Sequence, residues 1–492
     1  MTAALAAFAI SLFSGLNRAD EAWFLLVADR VAAGDHLYRD IAFPTTPLSV
    51  WAMAGAITIF GSEIILLRAL VGICVGLSAL IAAVIAHDWG LSVRASAAIA
   101  AVTVVTAALP AGSLYQRVAT LLTMLALAQL LRWMRDPQRA RSLYIASAAA
   151  GACIGAKHSL GILVAAVLTL VLLWRFFAHG ASRKMLLLAN AFMGLPVLLF
   201  LLVLAVLGDL QHFYEHAVVG AGRHAQDAGY SYLEGAKRIF GEVPGDSTLQ
   251  RLDGRWGALI FAVPPLGLVT LVVALMRRTP GERSELVVVG GIFLCALITL
   301  FPRADLPHLT LIAPTLIIGL AIGCYELSRS TPWLRNALAT MTVLWLMLGL
   351  ASTMGNPALD LARHELAVSD LQHFRGIPAK REELDTTREQ IERLRITAGE
   401  YGAVLMLTSD APFRYLTSGL RSHGPYDFPI TSLLGERTDD LLQQVRSGEY
   451  GAICMRERWN EFTAPLRPRR VEDEVRGSMR LVDRLGFCDL YA

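Results

Sequence analysis

Residues 159–207 read SLGILVAAVLTLVLLWRFFAHGASRKMLLLANAFMGLPVLLFLLVLAVL. Two apolar runs, 159–177 and 184–207, are each near the roughly 20 helical residues that cross a hydrocarbon core about 30 Å thick. The short connection between them holds Arg175, Arg183 and Lys184 and no acid. In a bilayer every backbone N–H and C=O must find its partner within its own segment, so both runs are read as spanning helices.

The same pattern recurs on either side. Apolar runs cover 64–86, 94–109, 113–134, 141–157, 256–276, 285–301, 308–326 and 335–353, and an apolar opening covers Met1 to about Gly15. That opening lacks a basic n-region and a cleavage site, so it is read as a first span and not as a removed signal. The expected fold is a polytopic α-helical membrane protein with about eleven spans. Composition agrees, for the 492 residues are 55% hydrophobic and 17% charged, against about 25% charged in soluble domains. A net charge of +3 without a basic stripe excludes nucleic acid as an expected partner and leaves the lipid bilayer.

Basic residues mark alternate loops: Arg132, Arg135, Arg139 and Arg141, then Arg175, Arg183 and Lys184, then Arg277, Arg278 and Arg283, then Arg329 and Arg335. The excess of Lys and Arg on the cytoplasmic side places the N-terminus inside. It places the first loop (17–62), the large loop (209–255) and the tail outside. The expected domains are a membrane module, 1–355, and a small extracytoplasmic α/β domain, 356–492. Within that tail, 403–408 and 451–455 read as buried strands and 380–395 as a helix. In the first loop, Ala22–Ala33 reads as a short amphipathic helix ended by Gly34, and 47–60 as an interfacial helix closed by Gly61. The large loop contains Gln211, His212, Tyr214, Glu215 and His216.

Cys74, Cys153, Cys295 and Cys324 lie in apolar runs, where a thiol acts as a small hydrophobe. No cysteine spacing fits a metal motif. Cys454 and Cys488 lie in the tail, where an oxidising exterior would let them bond, and spacing alone leaves that open.

Charge within a bilayer is costly, so its placement is informative. Glu63, Glu285 and Glu326 sit at span ends, while Arg68, Arg117, Lys157, His158, Arg303 and His308 gather at the outer ends. One-sided cations beneath a carboxylate-rich loop suit an outward pocket that holds a phosphate. Taken singly, each is equally well a snorkelling anchor or an interhelical ion-pair partner. Taken alone, Asp20 and Glu21 read better as an N-cap for the helix that follows, and only the wider pattern shifts that reading.

The first loop carries a more specific pattern: Asp20-Glu21-Ala22-Trp23-Phe24, Gly34, Leu37-Tyr38-Arg39-Asp40, Phe43-Pro44, Pro47-Leu48, Phe60-Gly61 and Arg68. Later come Gly155-Ala156-Lys157-His158, the turn Arg303 to His308, and Asp410-Ala411-Pro412-Phe413-Arg414-Tyr415 with Gly419. Together these resemble the GT-C superfamily of polyprenyl-phosphate-sugar-dependent glycosyltransferases, near the protein O-mannosyltransferases and the bacterial aminoarabinose transferases. The chain departs from many relatives at Pro110 to Leu114, which lacks their acidic residue. The resemblance implies inverting transfer of a hexose or pentose from a polyprenyl phosphate to a hydroxyl of a lipid, glycan or protein. The reaction would take place at the outer face of a bacterial inner membrane. It implies Asp20 as general base, with Glu21 orienting it or the acceptor. Lys157, His158, Arg303 and His308 would hold the lipid phosphate, with Arg117, Asp40 and Tyr38 as further binding residues. No cofactor is required by the sequence, no metal ligand is assigned, and a divalent metal is left open. The main rival is a secondary transporter or lipid flippase, which would place ionisable groups or broken helices near the midplane in repeated halves. A scaffold binding cell-wall partners is a third reading.

Overall fold

The computed structural model describes residues 1–108, 114–227, 229, 231–241, 248–279, 283–301, 303–329, 331–422, 425–456, 459 and 466–492. Most of the turn from Pro110 to Leu114 lies outside the described residues. The first nine helices are α1 (Thr2–Leu12), α2 (Asp20–Ala32), α3 (Leu48–Phe60), α4 (Ile64–Asp88), α5 (Val93–Ala107), α6 (Leu114–Arg135), α7 (Ala140–Ala156), α8 (His158–His179) and α9 (Arg183–Leu207). Then come α10 (Leu210–Phe213), a π-helix (Tyr214–Val219), α11 (Gly220–Asp227), α12 (Tyr232–Gly241), α13 (Thr248–Arg277), α14 (Arg283–Ile298), α15 (Leu306–Ser328) and α16 (Pro332–Ala362).

Among the described residues, α4, α6, α8, α9, α13, α15 and α16 are the seven helices long and apolar enough to cross a membrane. The chain is a multi-pass membrane protein. The other apolar runs form α1, α5, α7 and α14, of 11, 15, 17 and 16 residues, shorter than the 20 or so of a straight crossing.

Contacts gather the chain into two compact units. The first comprises Met1–Ser14, Arg68–Val203 and Tyr230–Leu359. Its centre is α15, buried without a break from Leu309 to Gly319 and packed against α5, α6, α13 and α14. Without a hydrophobic force between helices in lipid, close approach depends on small residues. A Cβ on Gly267 or Gly319 would fall 2.5 Å from the ring of Phe293, so α13 and α15 close on α14 only with glycine there. On α9 and α16 the apolar side chains face outward, among them Leu195, Leu198, Val343 and Met347, as lipid-facing helices require.

Prolines within these helices free carbonyls one turn earlier. Pro314 frees that of Thr310, which accepts from Arg117 Nη1 at 2.9 Å. Pro265 frees that of Phe261, which accepts from the Tyr232 hydroxyl. Neighbouring side chains thus complete the backbone, the usual condition for proline at membrane depth. Arg68 is fully buried and donates to the carbonyls of Ser11 and Leu12 at 2.9 and 3.2 Å, capping the end of α1.

At the helix ends expected on the basic side, Arg135 pairs with Glu285 at 2.6 Å, Arg278 with Glu326 at 2.7 Å and Arg132 with Asp88 at 3.4 Å. The ends that alternation of basic loops assigns to one face therefore do meet within this unit.

The second unit comprises Gly15–Leu67, Leu204–Gly229 and Asp360–Ala492. Its last segment runs β1 (Leu366–Val368), β2 (Pro378–Lys380), α17 (Arg381–Tyr401), β3 (Val404–Leu407), α18 (Ala411–Ser418), α19 (Thr431–Leu434), α20 (Thr438–Arg446), β4 (Ala452–Met455), α21 (Arg469–Ser478), β5 (Leu481–Arg484) and β6 (Asp489–Tyr491). β1 and β2 pair antiparallel. The other four strands form a sheet in the order β3-β4-β6-β5, with β3 and β4 parallel and the rest antiparallel. Leu405, Leu407, Ile453 and Met455 of the parallel pair pack with Leu441, Val445, Val471 and Val475 of the covering helices. A disulfide joins Cys454 on β4 to Cys488 beside β6, with Cα atoms 5.6 Å apart.

Candidate active site

In the first unit the backbone breaks at Lys157, which is extended (φ −153°, ψ 103°) between α7 and α8. Its amide caps α7 by donating to the Cys153 carbonyl at 2.8 Å, and its carbonyl accepts from Gly161 at 3.0 Å. The break turns a half-buried ammonium across to α6, where Nζ donates to Gln116 Oε1. His158 is also half-buried, and its Nδ1 is enclosed without a hydrogen-bond partner. Arg117 follows Gln116 and reaches Thr310 on α15.

Arg303 and His308 meet at one carboxylate. Asp305 caps α15 by accepting from the His308 amide at 3.0 Å, and it pairs with Arg303 Nε at 2.7 Å and His308 Nδ1 at 2.5 Å. Burial opposes charge on Asp305, but the His308 hydrogen bond and the charges of His308 and Arg303 hold its carboxyl well below the usual range. Lys157 and Arg117 are thus joined through adjacent residues of α6, and Arg117 reaches the helix turn that His308 opens. Five expected residues stand around the ends of α6, α7, α8 and α15.

In the second unit Asp20 and Glu21 occupy the first turn of α2, where carboxylates suit the helix dipole. The N-cap is Ala19, and it makes no side-chain cap bond. The expected start at Ala22, with the acids as caps, is corrected by two residues. Asp20 is exposed and Glu21 is buried. α2 packs on α18, and Trp23 lies between Phe43 and Phe428 at ring separations of 5.4 and 6.0 Å. Just ahead, Arg18 donates to Glu383 at 2.8 Å and to Thr387 at 3.0 Å on α17.

Gly34 ends α2 at φ +107°. The turn beyond is tight enough to hold Tyr38 at φ +79°, an uncommon conformation for a bulky residue. Tyr38 is fully buried, its hydroxyl donates to the Thr45 carbonyl at 2.7 Å, and its ring meets Phe213 edge-on at 5.2 Å. Asp40 braces the same turn by accepting from the His36 amide at 2.7 Å.

Several polar groups escaped the sequence reading. Gln116 is one, and its signal was a polar residue buried in an apolar run. His36 is another, bonded through Nδ1 to the buried Asp209 at 3.0 Å. Arg30 is a third, paired with Asp427 at 2.6 Å and Asp35 at 2.7 Å. Among the described residues, no three His, Cys, Asp or Glu side chains converge as metal ligands.

No family profile and no curated protein sequence matches the chain. Solved structures do. ArnT from Cupriavidus metallidurans, bound to undecaprenyl phosphate, is similar over 100% of this chain and 96% of its own, with a TM-score of 0.60 and 15% identity. Its apo form has a TM-score of 0.55 and 14% identity over the same shares. An oligosaccharyltransferase from Archaeoglobus fulgidus, in complex with zinc and sulfate, reaches a TM-score of 0.41 at 12% identity, over 85% of this chain and 61% of its own. From end to end, the chain shares the fold of ArnT.

Proposed function

We propose that this protein transfers a sugar from a polyprenyl-phosphate donor to a hydroxyl acceptor, with inversion, at the outer face of a bacterial inner membrane. The observation that carries this reading is the full-length likeness to ArnT with undecaprenyl phosphate bound. The arrangement proposed with it is eleven spans within 1–355, a cytoplasmic N-terminus, and a periplasmic domain, 356–492. The acceptor is a lipid, a glycan or a protein.

The chemistry asks little of a general acid, because a phosphate monoester is already a good leaving group. Asp20 takes the proton of the acceptor hydroxyl as its oxygen attacks the anomeric carbon. The bond from that carbon to the phosphate oxygen breaks, and its electrons leave with the polyprenyl phosphate. Cations offset the charge that gathers there. We assign this role first to Lys157 and His158, then to Arg303 and His308, and last to Arg117, which bonds the Thr310 carbonyl of α15. Glu21 orients the acceptor or Asp20, and Tyr38 and Asp40 shape the turn that follows.

The test uses membranes containing the full chain, supplied with a polyprenyl-phosphate sugar labelled in the sugar. Label should pass covalently to an acceptor fraction, and Asp20→Asn should abolish this while insertion and abundance stay normal. Full activity in that variant removes Asp20 from the reaction. Label that crosses the membrane with no covalent product would favour a flippase.

A further inference from the structure

We infer that Gln116 is a positioning residue for the lipid phosphate: it holds the Lys157 ammonium with a neutral oxygen, leaving the positive charge available to an anion. This rests on the phosphate-binding reading of Lys157.

Several other cations of the first unit have their charge answered by a carboxylate. Arg303 meets Asp305, Arg135 meets Glu285, Arg278 meets Glu326 and Arg132 meets Asp88. Lys157 differs. Its side-chain partner is the Gln116 amide, and no ion pair to a carboxylate forms at Lys157 among the described residues. An ammonium removed from water without a counter-charge is costly, and a neutral acceptor recovers only part of that cost. Lys157 is therefore half of an ion pair whose other half must come from a ligand.

The geometry names the oxygen as the holding atom. An ammonium has three donors and no acceptor, so only Oε1 of the amide can face it. Gln116 is 2% exposed, and its Nε2 is buried without a partner. The turn of α6 that carries it is anchored by the bond from Arg117 to Thr310. A glutamate at this position would have nearly the same shape and reach, but it would complete the ion pair within the protein.

The test is binding of farnesyl phosphate to the full-length protein in phosphatidylcholine nanodiscs, with farnesol as the uncharged control. Gln116→Glu should weaken farnesyl phosphate binding at least tenfold with unchanged or raised thermal stability, and farnesol binding should not move. A merely structural role predicts affinity that follows stability, so wild-type affinity in Gln116→Glu overturns the inference. Should that variant fail to fold, Gln116→Leu takes its place: it should weaken binding threefold or more, and wild-type affinity again overturns the inference. Lys157→Ala separates the two levels. If it weakens binding while the Gln116 variants do not, only the role of Gln116 falls. If Lys157→Ala binds as wild type does, the phosphate-binding reading of Lys157 falls with it.

Discussion

Lys157 and Arg303 both looked like phosphate ligands in sequence, as cations at the ends of apolar runs. Their partners differ in charge, and that separates their expected effects. Arg303 shares Asp305 with His308 inside one compact turn, so its loss should disturb α15 more than donor affinity. Lys157 has only a neutral partner, and a phosphate would bring it a charge-assisted hydrogen bond. Such bonds contribute about 1.5–3 kcal/mol, so Lys157→Ala should raise KM for the lipid donor by roughly 10- to 100-fold. KM for the acceptor should not change. Steady-state kinetics with each substrate varied in turn would show this, and equal effects on both would count against a phosphate role. A lysine in an apolar run was visible from the sequence. Its partner was not, because Gln116 lies on another helix and nothing local couples the two. Likewise Arg68 and Arg117 read as members of a cation ring, whereas their guanidinium groups bond backbone carbonyls.

At the scale of elements, hydropathy was a sound guide wherever a helix must complete its own backbone bonds. Runs read at 64–86, 159–177 and 184–207 are α4, α8 and α9 to within a few residues. Proline positions were visible too, but not how their freed carbonyls are answered. Tyr232→Phe tests this: it leaves the Phe261 carbonyl without its hydroxyl donor beside Pro265. An unmet buried acceptor costs about 1–3 kcal/mol, which should appear as a lower melting temperature with little change in helix content. The π-helix from Tyr214 to Val219 had no sequence signal, since its extra residue per turn leaves no distinct periodicity in six residues. It carries His216, which burial first and then Arg437 push down to about 4. The neighbouring charges are Glu215, His212 and Arg223. A free imidazole titrates near 6.5, so between about 6.5 and 4 the unfolded chain binds the extra proton. The stability His216 contributes is complete above that window and declines as the pH falls through it. Protection factors at 214–219, which remove the intrinsic pH dependence of amide exchange, should fall on acidification, and less so in His216→Gln. An identical pH response in the two proteins would remove His216 as the cause.

At the scale of the molecule, apolar run length and the alternation of basic loops were enough to indicate a membrane fold that, at 15% identity, matches ArnT along its length. They could not show that the first loop, the large loop as far as Gly229 and the tail from Asp360 pack as one unit. That assembly depends on ties such as Arg30 to Asp427, 397 positions apart, and Arg18 to Glu383, 365 apart. β5 and β6 were also illegible, at four and three residues with little apolar alternation. Their place in the sheet is secured beside the bond from Cys454 to Cys488, which sequence left open. That bond gives the orientation a chemical test, because structural disulfides persist in oxidising compartments and thiols stay reduced in the cytosol. The other cysteines, Cys74, Cys153, Cys295 and Cys324, are free, so a variant with those four replaced by alanine isolates the pair. Denatured directly from cells and treated with a polyethylene-glycol maleimide, it should gain no mass until it is reduced, and then two adducts. Two adducts before reduction would place the tail in a reducing compartment and overturn the proposed topology. Closing a loop across a separation of 34 residues contributes about 4 kcal/mol in the chain-entropy account. Replacing both cysteines by serine should therefore loosen the sheet, read as faster exchange at 404–407 and 452–455, while exchange in α15 of the first unit stays as it was.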